Sequence, residues 1–202
     1  MTPQTILDYW YADTRGDPAR ASERMPFWFK ADPAADRAIA DRFGDTLAAA
    51  ADGSLAHWET DAHSALALVI ALDQFPRNIH RATPRAFEHD REALAVTRHG
   101  VAAGYLRALT TVEQAFFLMP FQHCEDAGCQ REGVALFERM TEEAPAEWQT
   151  LAEGILRYAR LHLEIIERFG RFPHRNAILG RTSTADEQAY LASGSETFGQ
   201  AG

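Results

Sequence analysis

Residues 61–78, DAHSALALVIALDQFPRN, carry a long apolar helix pattern that ends in a polar corner. The apolar residues, among them Leu66 and Val69, predict a buried helix over residues 61–75. Proline has no backbone N–H and its ring clashes with the preceding turn, so we expect Pro76 to end this helix. A buried helix needs partners, and the rest of the chain decides whether those partners are helices or strands.

Four further helix starts carry capping signals. A Thr or Asp before a proline caps a helix and places the proline in its first turn. A Thr with a Glu three residues later forms a capping box. The first signal occurs at Thr2-Pro3 and Asp32-Pro33, and the second at Thr110 with Glu113 and Thr184 with Glu187. These starts predict helices spread along the whole chain.

The expected helix ends follow from glycine and proline. Gly53 and Gly170 are expected to end helices in the left-handed conformation, and Pro120 is expected to break the helix before it. Residues 13–24 are polar and predict a surface loop. No segment shows sustained two-residue alternation, so a sheet is not supported. We predict an all-α fold of antiparallel helical hairpins, forming a single compact domain over residues 1–202.

Composition and charge narrow the function classes. The chain has 202 residues, of which 46% are hydrophobic and 24% are charged, as in ordinary globular proteins. Its formal net charge of −9 disfavours binding to nucleic acid or to an anionic membrane surface. The longest apolar run, residues 65–72, is too short to span a bilayer, and no signal peptide is visible. We therefore expect a cytoplasmic protein, in which Cys124 and Cys129 form no disulfide.

Two segments echo one another and supply most of the candidate binding residues. Phe75-Pro76-Arg77-Asn78 and Phe172-Pro173-His174-Arg175-Asn176 share Phe-Pro followed by Arg-Asn. The arginines are expected either to cap helix ends or to bind the carboxylate or phosphate of a small anionic ligand in a shared cleft. The candidate substrate-binding residues are Asp73, Arg77, Asn78, Arg81, Arg171, Arg175, Asn176 and Arg181.

A third segment, residues 121–126, supplies the candidate catalytic residues. A histidine titrates near neutral pH and suits general acid–base catalysis. The candidate catalytic residues are His123, Glu125, Asp126 and His174. The same side chains could bind a divalent metal, although no HExxH pattern is present and we assign no metal ligand. Alternatively, Glu125 and Asp126 begin a helix, and Cys124 is a weak candidate nucleophile.

These motifs resemble a known family, the bacterial domain-of-unknown-function family 924. The resemblance covers nearly the whole chain, in which the family usually has serine at the position of Cys124. It implies an all-helical fold similar to that of tetratricopeptide-like helical hairpin proteins, and it implies no activity. The residues that carry it are Phe27–Phe29, Gly53–Trp58, Leu72–Asn78, Pro120–Asp126, Ile166–Asn176, Ile178–Arg181 and Ser183-Thr184.

The leading functional hypothesis is a polar Arg, His and carboxylate cleft that binds or transforms a small anionic molecule. The alternative is a tetratricopeptide-like scaffold that presents a groove to a peptide or protein partner. A third interpretation makes the polar residues a buried ion-pair network that serves the fold. The sequence indicates no particular cofactor and assigns no oligomeric state.

Overall fold

The fold is helical throughout the part of the chain that the computed structural model describes, residues 1–194 and Phe198. In this part there is no β-strand, which confirms the all-α prediction. No helix in it combines the length and the apolar character needed to cross a bilayer. The α-helices are α1 (Pro3–Tyr11), α2 (Pro18–Phe29), α3 (Pro33–Ala51), α4 (Ala62–Val69), α5 (Phe75–Ile79), α6 (Asp90–Ala102), α7 (Thr111–His123), α8 (Ala127–Glu143), α9 (Gln149–Phe169) and α10 (Ala185–Ala192).

The capping signals set the helix starts, including one that the sequence analysis missed. Thr2 and Asp32 cap α1 and α3, and both predicted capping boxes form. Asp17 caps α2 in the same way, because its Oδ1 accepts hydrogen bonds from the N–H groups of Ala19 and Arg20 at 2.9 and 3.3 Å. The expected surface loop over residues 13–24 is therefore wrong from Pro18 onward, since Asp17-Pro18 repeats the cap-then-proline signal.

Pro76 does not end its helix, contrary to the prediction. Helix α4 continues through a π-helical turn, Ile70–Gln74, into α5, where Pro76 occupies the first turn. In the π turn the N–H of Phe75 bonds to the carbonyl of Ile70, five residues back. The wider turn accommodates a proline that has no N–H to donate, so the chain stays helical. The turn also places Asp73 and Gln74 inside the molecule, where both are buried.

Helix α7 is the central element of the core. It runs through Pro120, so the predicted break there is also wrong. Eleven of its thirteen residues are buried, and neighbouring helices pack around it. Packing on all sides offsets the loss of one backbone hydrogen bond, since tertiary contacts supply most of the stability of a helix in a protein.

The core extends to both sides of α7 and leaves room for a cavity beside it. One large cluster joins α1, α3, α4 and α7 and includes Trp10, Phe43 and Phe116. A second cluster joins α7 to the hairpin of α8 and α9 through Phe121 and Phe137. The molecule is one compact helical domain. The likeness to tetratricopeptide proteins stays a prediction.

Candidate functional site

A cavity of 760 Å³ lies between α2, α5, the end of α7, α9 and the turn Phe172–Arg175. This volume falls within the range of small-molecule sites. Its walls are mostly apolar side chains, including Trp28, Met119 and Ile155. Nine polar lining residues, called here the polar end, are Gln74, Arg77, Asn78, Arg81, Gln122, His123, His162, His174 and Arg175. The other polar lining residues are Ser22, Glu147, Thr150 and Arg157.

The polar end is organised by a buried carboxylate, that of Asp73, in the π turn. Asp73 is fully buried, and its Oδ1 lies 2.7 Å from Nδ1 of His123. Its Oδ2 accepts a hydrogen bond of 2.6 Å from Gln74 Nε2. Asp73 and His123 are fifty residues apart in sequence and meet because the π turn packs against the end of α7. His123 Nε2 forms no hydrogen bond with any of the described residues.

The surroundings of this pair fix its protonation state. Burial alone would raise the pKa of Asp73, but the positive charge of Arg77 and the contact with His123 outweigh it and lower the pKa to about 2. Burial lowers the pKa of His123, and Arg77 lowers it further, against the opposing effect of Asp73. His123 is therefore neutral at pH 7, with Nδ1–H donating to Asp73 and Nε2 available to accept a proton.

Two of the three arginines at the polar end, Arg77 and Arg175, share a carboxylate partner, Asp90. Arg77 Nη1 donates to the carbonyl of Asp73 at 2.7 Å and lies 3.3 Å from its carboxylate, while Nη2 lies 2.8 Å from Asp90. Arg175 Nη1 donates to Asp90 at 3.2 Å. The Arg175 guanidinium also lies over the rings of Phe87 and Phe172, 4.4 and 4.6 Å from their centroids. Asp90 thus bridges the two arginines of the echoing segments.

Arg81 and Asn78 line the cavity but bind a neighbouring helix. Arg81 makes a bidentate pair with Asp36 of α3, at 2.7 and 2.8 Å. Asn78 donates to the same carboxylate at 2.9 Å. The first echoing segment is therefore both a cavity wall and the link between α5 and α3.

Three predicted binding residues lie away from the cavity lining. Arg171 makes a bidentate pair with Glu187 of α10 at 2.7 and 2.9 Å. Arg181 pairs with Glu125 at 2.6 and 3.0 Å. Asn176 donates to the Ser183 hydroxyl at 3.0 Å. In these contacts the three side chains hold the C-terminal turns together.

Glu125 and Asp126 do not join His123. Glu125 accepts a hydrogen bond of 2.7 Å from the backbone N–H of Phe172 in addition to its pair with Arg181. Burial raises the pKa of Glu125, but these hydrogen bonds outweigh that effect and the net shift is downward. Asp126 caps α8 by accepting from the N–H of Cys129 at 2.7 Å. The structure therefore gives His123 a different acidic partner from the one proposed on sequence.

His174, His162 and Gln122 complete the polar lining. Burial lowers the pKa values of His174 and His162 to about 3, so both rings are neutral at pH 7. His162 Nδ1 bonds to the carbonyl of Tyr158 at 2.7 Å. The side-chain nitrogen of Gln122 and Nδ1 of His174 are buried without hydrogen-bond partners among the described residues. Gln122 and His162 were absent from the predicted site, although Gln122 directly precedes His123 at the end of α7.

The structure gathers no metal site within residues 1–194, where no three His, Cys, Asp or Glu side chains converge. The ring of His123 bonds to Asp73, and no hydrogen bond joins it to Cys124. Cys124 instead ends α7 and lies next to Cys129 in the first turn of α8, with both thiols reduced. Among the described histidines of the lining, only His123 is hydrogen-bonded to a carboxylate, so its Nε2 is the candidate reactive group.

Comparisons with known proteins agree with the fold and with the motif pattern. A family model described as a bacterial protein of unknown function, DUF924, matches residues 6–195. A solved structure of a protein of unknown function from Agrobacterium tumefaciens is 35% identical, covers 95% of this chain and 97% of that chain, and superposes with a TM-score of 0.79. No curated protein matches the chain significantly. The chain therefore belongs to the DUF924 family of bacterial proteins of unknown function.

Proposed function

We propose that this protein is an enzyme that uses His123, held by Asp73, as a general base on a small molecule enclosed in the cavity. The observation that carries the proposal is the 2.7 Å contact between Asp73 and His123 Nδ1, while Nε2 of the neutral ring has no hydrogen bond to any described residue. A carboxylate in this position fixes the tautomer of the ring and stabilises the imidazolium that forms when Nε2 takes a proton.

The placement of the polar groups supports a small-molecule site over a peptide-binding scaffold. A scaffold would present its polar cluster on an open concave surface. Here Gln122, His174 and Arg175 are 6, 9 and 6% exposed, and they face a cavity of small-molecule size. Arg77, which also lines the cavity, is 9% exposed, and its partner Asp73 is fully buried. Buried polar side chains at one end of an apolar cavity are the usual arrangement of a ligand site.

The base acts on the ligand or on a water molecule, because no described nucleophilic side chain is hydrogen-bonded to it. Within the described residues, no serine, threonine or cysteine side chain hydrogen-bonds to His123. A charge-relay mechanism of the serine-hydrolase type needs that contact. Direct proton abstraction needs only the free Nε2 and a bound ligand.

Untargeted mass spectrometry in D₂O tests the proposal. A small-molecule extract of bacterial cells is incubated with the protein, and compounds that gain deuterium or are consumed are recorded. We expect at least one such compound with the wild type, and a rate about 10²–10⁴-fold lower with His123→Gln. Asp73→Asn should also be slower, because the asparagine N–H can donate to Nδ1 and so favours the tautomer that carries its proton on Nε2. In that tautomer Nε2 cannot accept a proton.

Two controls separate chemistry from folding. Gln188→Leu, on the exposed face of α10, should behave as the wild type does. The thermal unfolding of each variant shows whether it remains folded. If no compound changes, or if folded His123→Gln acts as fast as the wild type, the general-base assignment is wrong.

A further inference from the structure

The polar end of the cavity holds hydrogen-bond donors without partners. The Gln122 side-chain amide makes no hydrogen bond within the described residues, and Arg175 Nε is buried without a partner. Both side chains line the cavity and are 6% exposed. An unsatisfied buried donor costs about 1–3 kcal/mol. A ligand whose oxygen accepted hydrogen bonds from these donors would remove that cost.

The charges around these donors cancel. Arg77 and Arg175 carry two positive charges, and Asp73 and Asp90, which contact them, carry two negative charges. Arg81 is matched by Asp36 in the same way. An anion placed here would lose its hydration without meeting a surplus of positive charge, which is unfavourable in a buried site. An uncharged acceptor oxygen accepts the same hydrogen bonds without that loss.

The remainder of the cavity suits an apolar body. Its wall includes Met25, Trp28, Met119, Leu151 and Ile155. Phe29 and Tyr158 also line it and are 45 and 47% exposed, so the rim of the cavity is aromatic. An apolar ligand gains about 25 cal/mol for each Å² of apolar surface removed from water.

We propose that the ligand is an uncharged carbonyl compound with an apolar or aromatic body, whose carbonyl oxygen accepts hydrogen bonds from Gln122 and Arg175. This inference rests on the proposed function and names its substrate class. It replaces the small anionic ligand expected from the arginines, since each of those arginines already has a carboxylate partner.

With a carbonyl compound as ligand, His123 can abstract a proton from the carbon next to the carbonyl. The bond between hydrogen and the carbon next to the carbonyl breaks, the proton moves to His123 Nε2, and the electron pair moves onto the carbonyl oxygen as an enolate. The imidazolium and the enolate carry opposite charges, so the site stays neutral overall. Gln122 and Arg175 then donate to an oxygen that has become negative, as oxyanion-stabilising groups do. Return of the proton to carbon regenerates the neutral histidine.

Three probes of nearly the same shape test the substrate class by ligand-observed NMR titration. They are 4-phenylbutan-2-one, 3-phenylpropanoate and 4-phenylbutan-2-ol, which share the phenylethyl body and differ in the polar group. We expect the ketone to bind at least about tenfold more tightly than either of the others. If the carboxylate binds more tightly than the ketone, the site binds an anion. If the alcohol binds as tightly as the ketone, the site does not recognise a carbonyl group. Either result, or no binding of the ketone, overturns the proposal.

The infrared carbonyl band of ¹³C-labelled ketone tests the assigned donors directly. A hydrogen-bonded carbonyl absorbs at lower wavenumber, so the band of the ketone bound to the wild type should be shifted below that of the ketone in hexane, which donates no hydrogen bond. Gln122→Leu should reduce that shift and weaken binding about tenfold, whereas Gln188→Leu should change neither. An unchanged band in folded Gln122→Leu contradicts the assignment.

The binding measurements are independent of catalysis. His123→Gln should still bind the ketone, because the variant keeps both donors. If the ketone fails to bind while the cell extract shows turnover that depends on His123, the substrate class is wrong and the general base stands. If the ketone binds through Gln122 but no compound is turned over, the general-base function is the part that fails.

Discussion

At the scale of single residues, two buried histidines make the stability of the protein depend on pH. Burial lowers the pKa values of His162 and His174 to about 3 in the folded protein, whereas an unfolded histidine has a pKa near 6.5. Below pH 6.5 the unfolded chain binds protons that the folded protein does not. Stability is therefore lost as the pH falls from 6.5 toward 3, by about 2 kcal/mol for each histidine at pH 5.

His162→Phe tests this dependence. Phenylalanine keeps a ring beside Phe172 and cannot be protonated. Urea unfolding at pH 7 and pH 5 should show that the wild type loses about 2 kcal/mol more than the variant between the two conditions. An equal loss in both proteins would mean that His162 titrates alike in the folded and unfolded states.

The sequence singled out His123 as a candidate site residue but gave it a different carboxylate partner from the one in the structure. His123 was paired with Glu125 or Asp126, because neighbours in sequence were the available candidates. Its partner in the structure is Asp73, fifty residues away, which had been assigned to ligand binding. The pairing depends on how the π turn packs against α7, and no local pattern encodes that contact. Asp36 and Asp90 were missed as arginine partners for the same reason, since they lie on other helices. Asp73 and Glu125, which the sequence analysis did consider, pair with Arg77 and Arg181.

At the scale of helices, the capping residues predicted helix starts correctly, whereas Pro76 and Pro120 did not predict helix ends. The capping boxes at Thr110 and Thr184 formed as expected, because each box needs only residues within one turn. Pro76 and Pro120 were expected to stop helices and did not. Whether a helix continues past a proline depends on the packing around it, and that packing is set by the rest of the chain.

The contact between α7 and α8 predicts the effect of a single methyl group. A Cβ atom at Gly133 of α8 would lie 2.5 Å from Cβ of Phe121, an atom fixed to the backbone of α7. Gly133→Ala should therefore destabilise the protein by about 1–3 kcal/mol, despite the better helix propensity of alanine. Gly44→Ala in α3, where no atom lies within 4 Å of the new Cβ, should instead stabilise it by about 0.5–1 kcal/mol. Urea unfolding measures both, and equal effects of the two changes would refute the close packing of α7 on α8.

At the scale of the whole molecule, the candidate site is assembled from four distant parts of the chain. The π turn supplies Asp73, the end of α7 supplies Gln122 and His123, α9 supplies His162, and the turn after α9 supplies Arg175. The last of these parts belongs to the small third cluster of the core, formed by Ile165, Ile166 and Phe172. Because this cluster is small, the position of the turn next to His123 depends strongly on polar contacts.

Glu125 is the contact that holds this turn to the end of α7. It accepts hydrogen bonds from the backbone N–H of Phe172 and from both Nη atoms of Arg181. These two residues lie before and after His174 and Arg175 in the sequence, so Glu125 holds both ends of the segment that carries them. Hydrogen bonds to a charged group contribute about 1.5–3 kcal/mol each. Glu125→Gln removes the charge but keeps the shape, so it should loosen residues 172–181 and leave most of α8 unchanged.

Amide hydrogen exchange followed by mass spectrometry measures this loosening. In Glu125→Gln, the amides of residues 172–181, and that of Phe172 above all, should exchange faster than in the wild type, while residues 134–143 of α8 should not change. Glu187→Gln is the matched control, because Glu187 pairs with Arg171 on the other side of the same turn and caps α10. Its effect should fall on residues 184–192. If Glu125→Gln leaves residues 172–181 protected, the apolar contacts of Phe172 position Arg175 without help. The site would then be held by the core, and Glu125 would have no part in aligning it with His123.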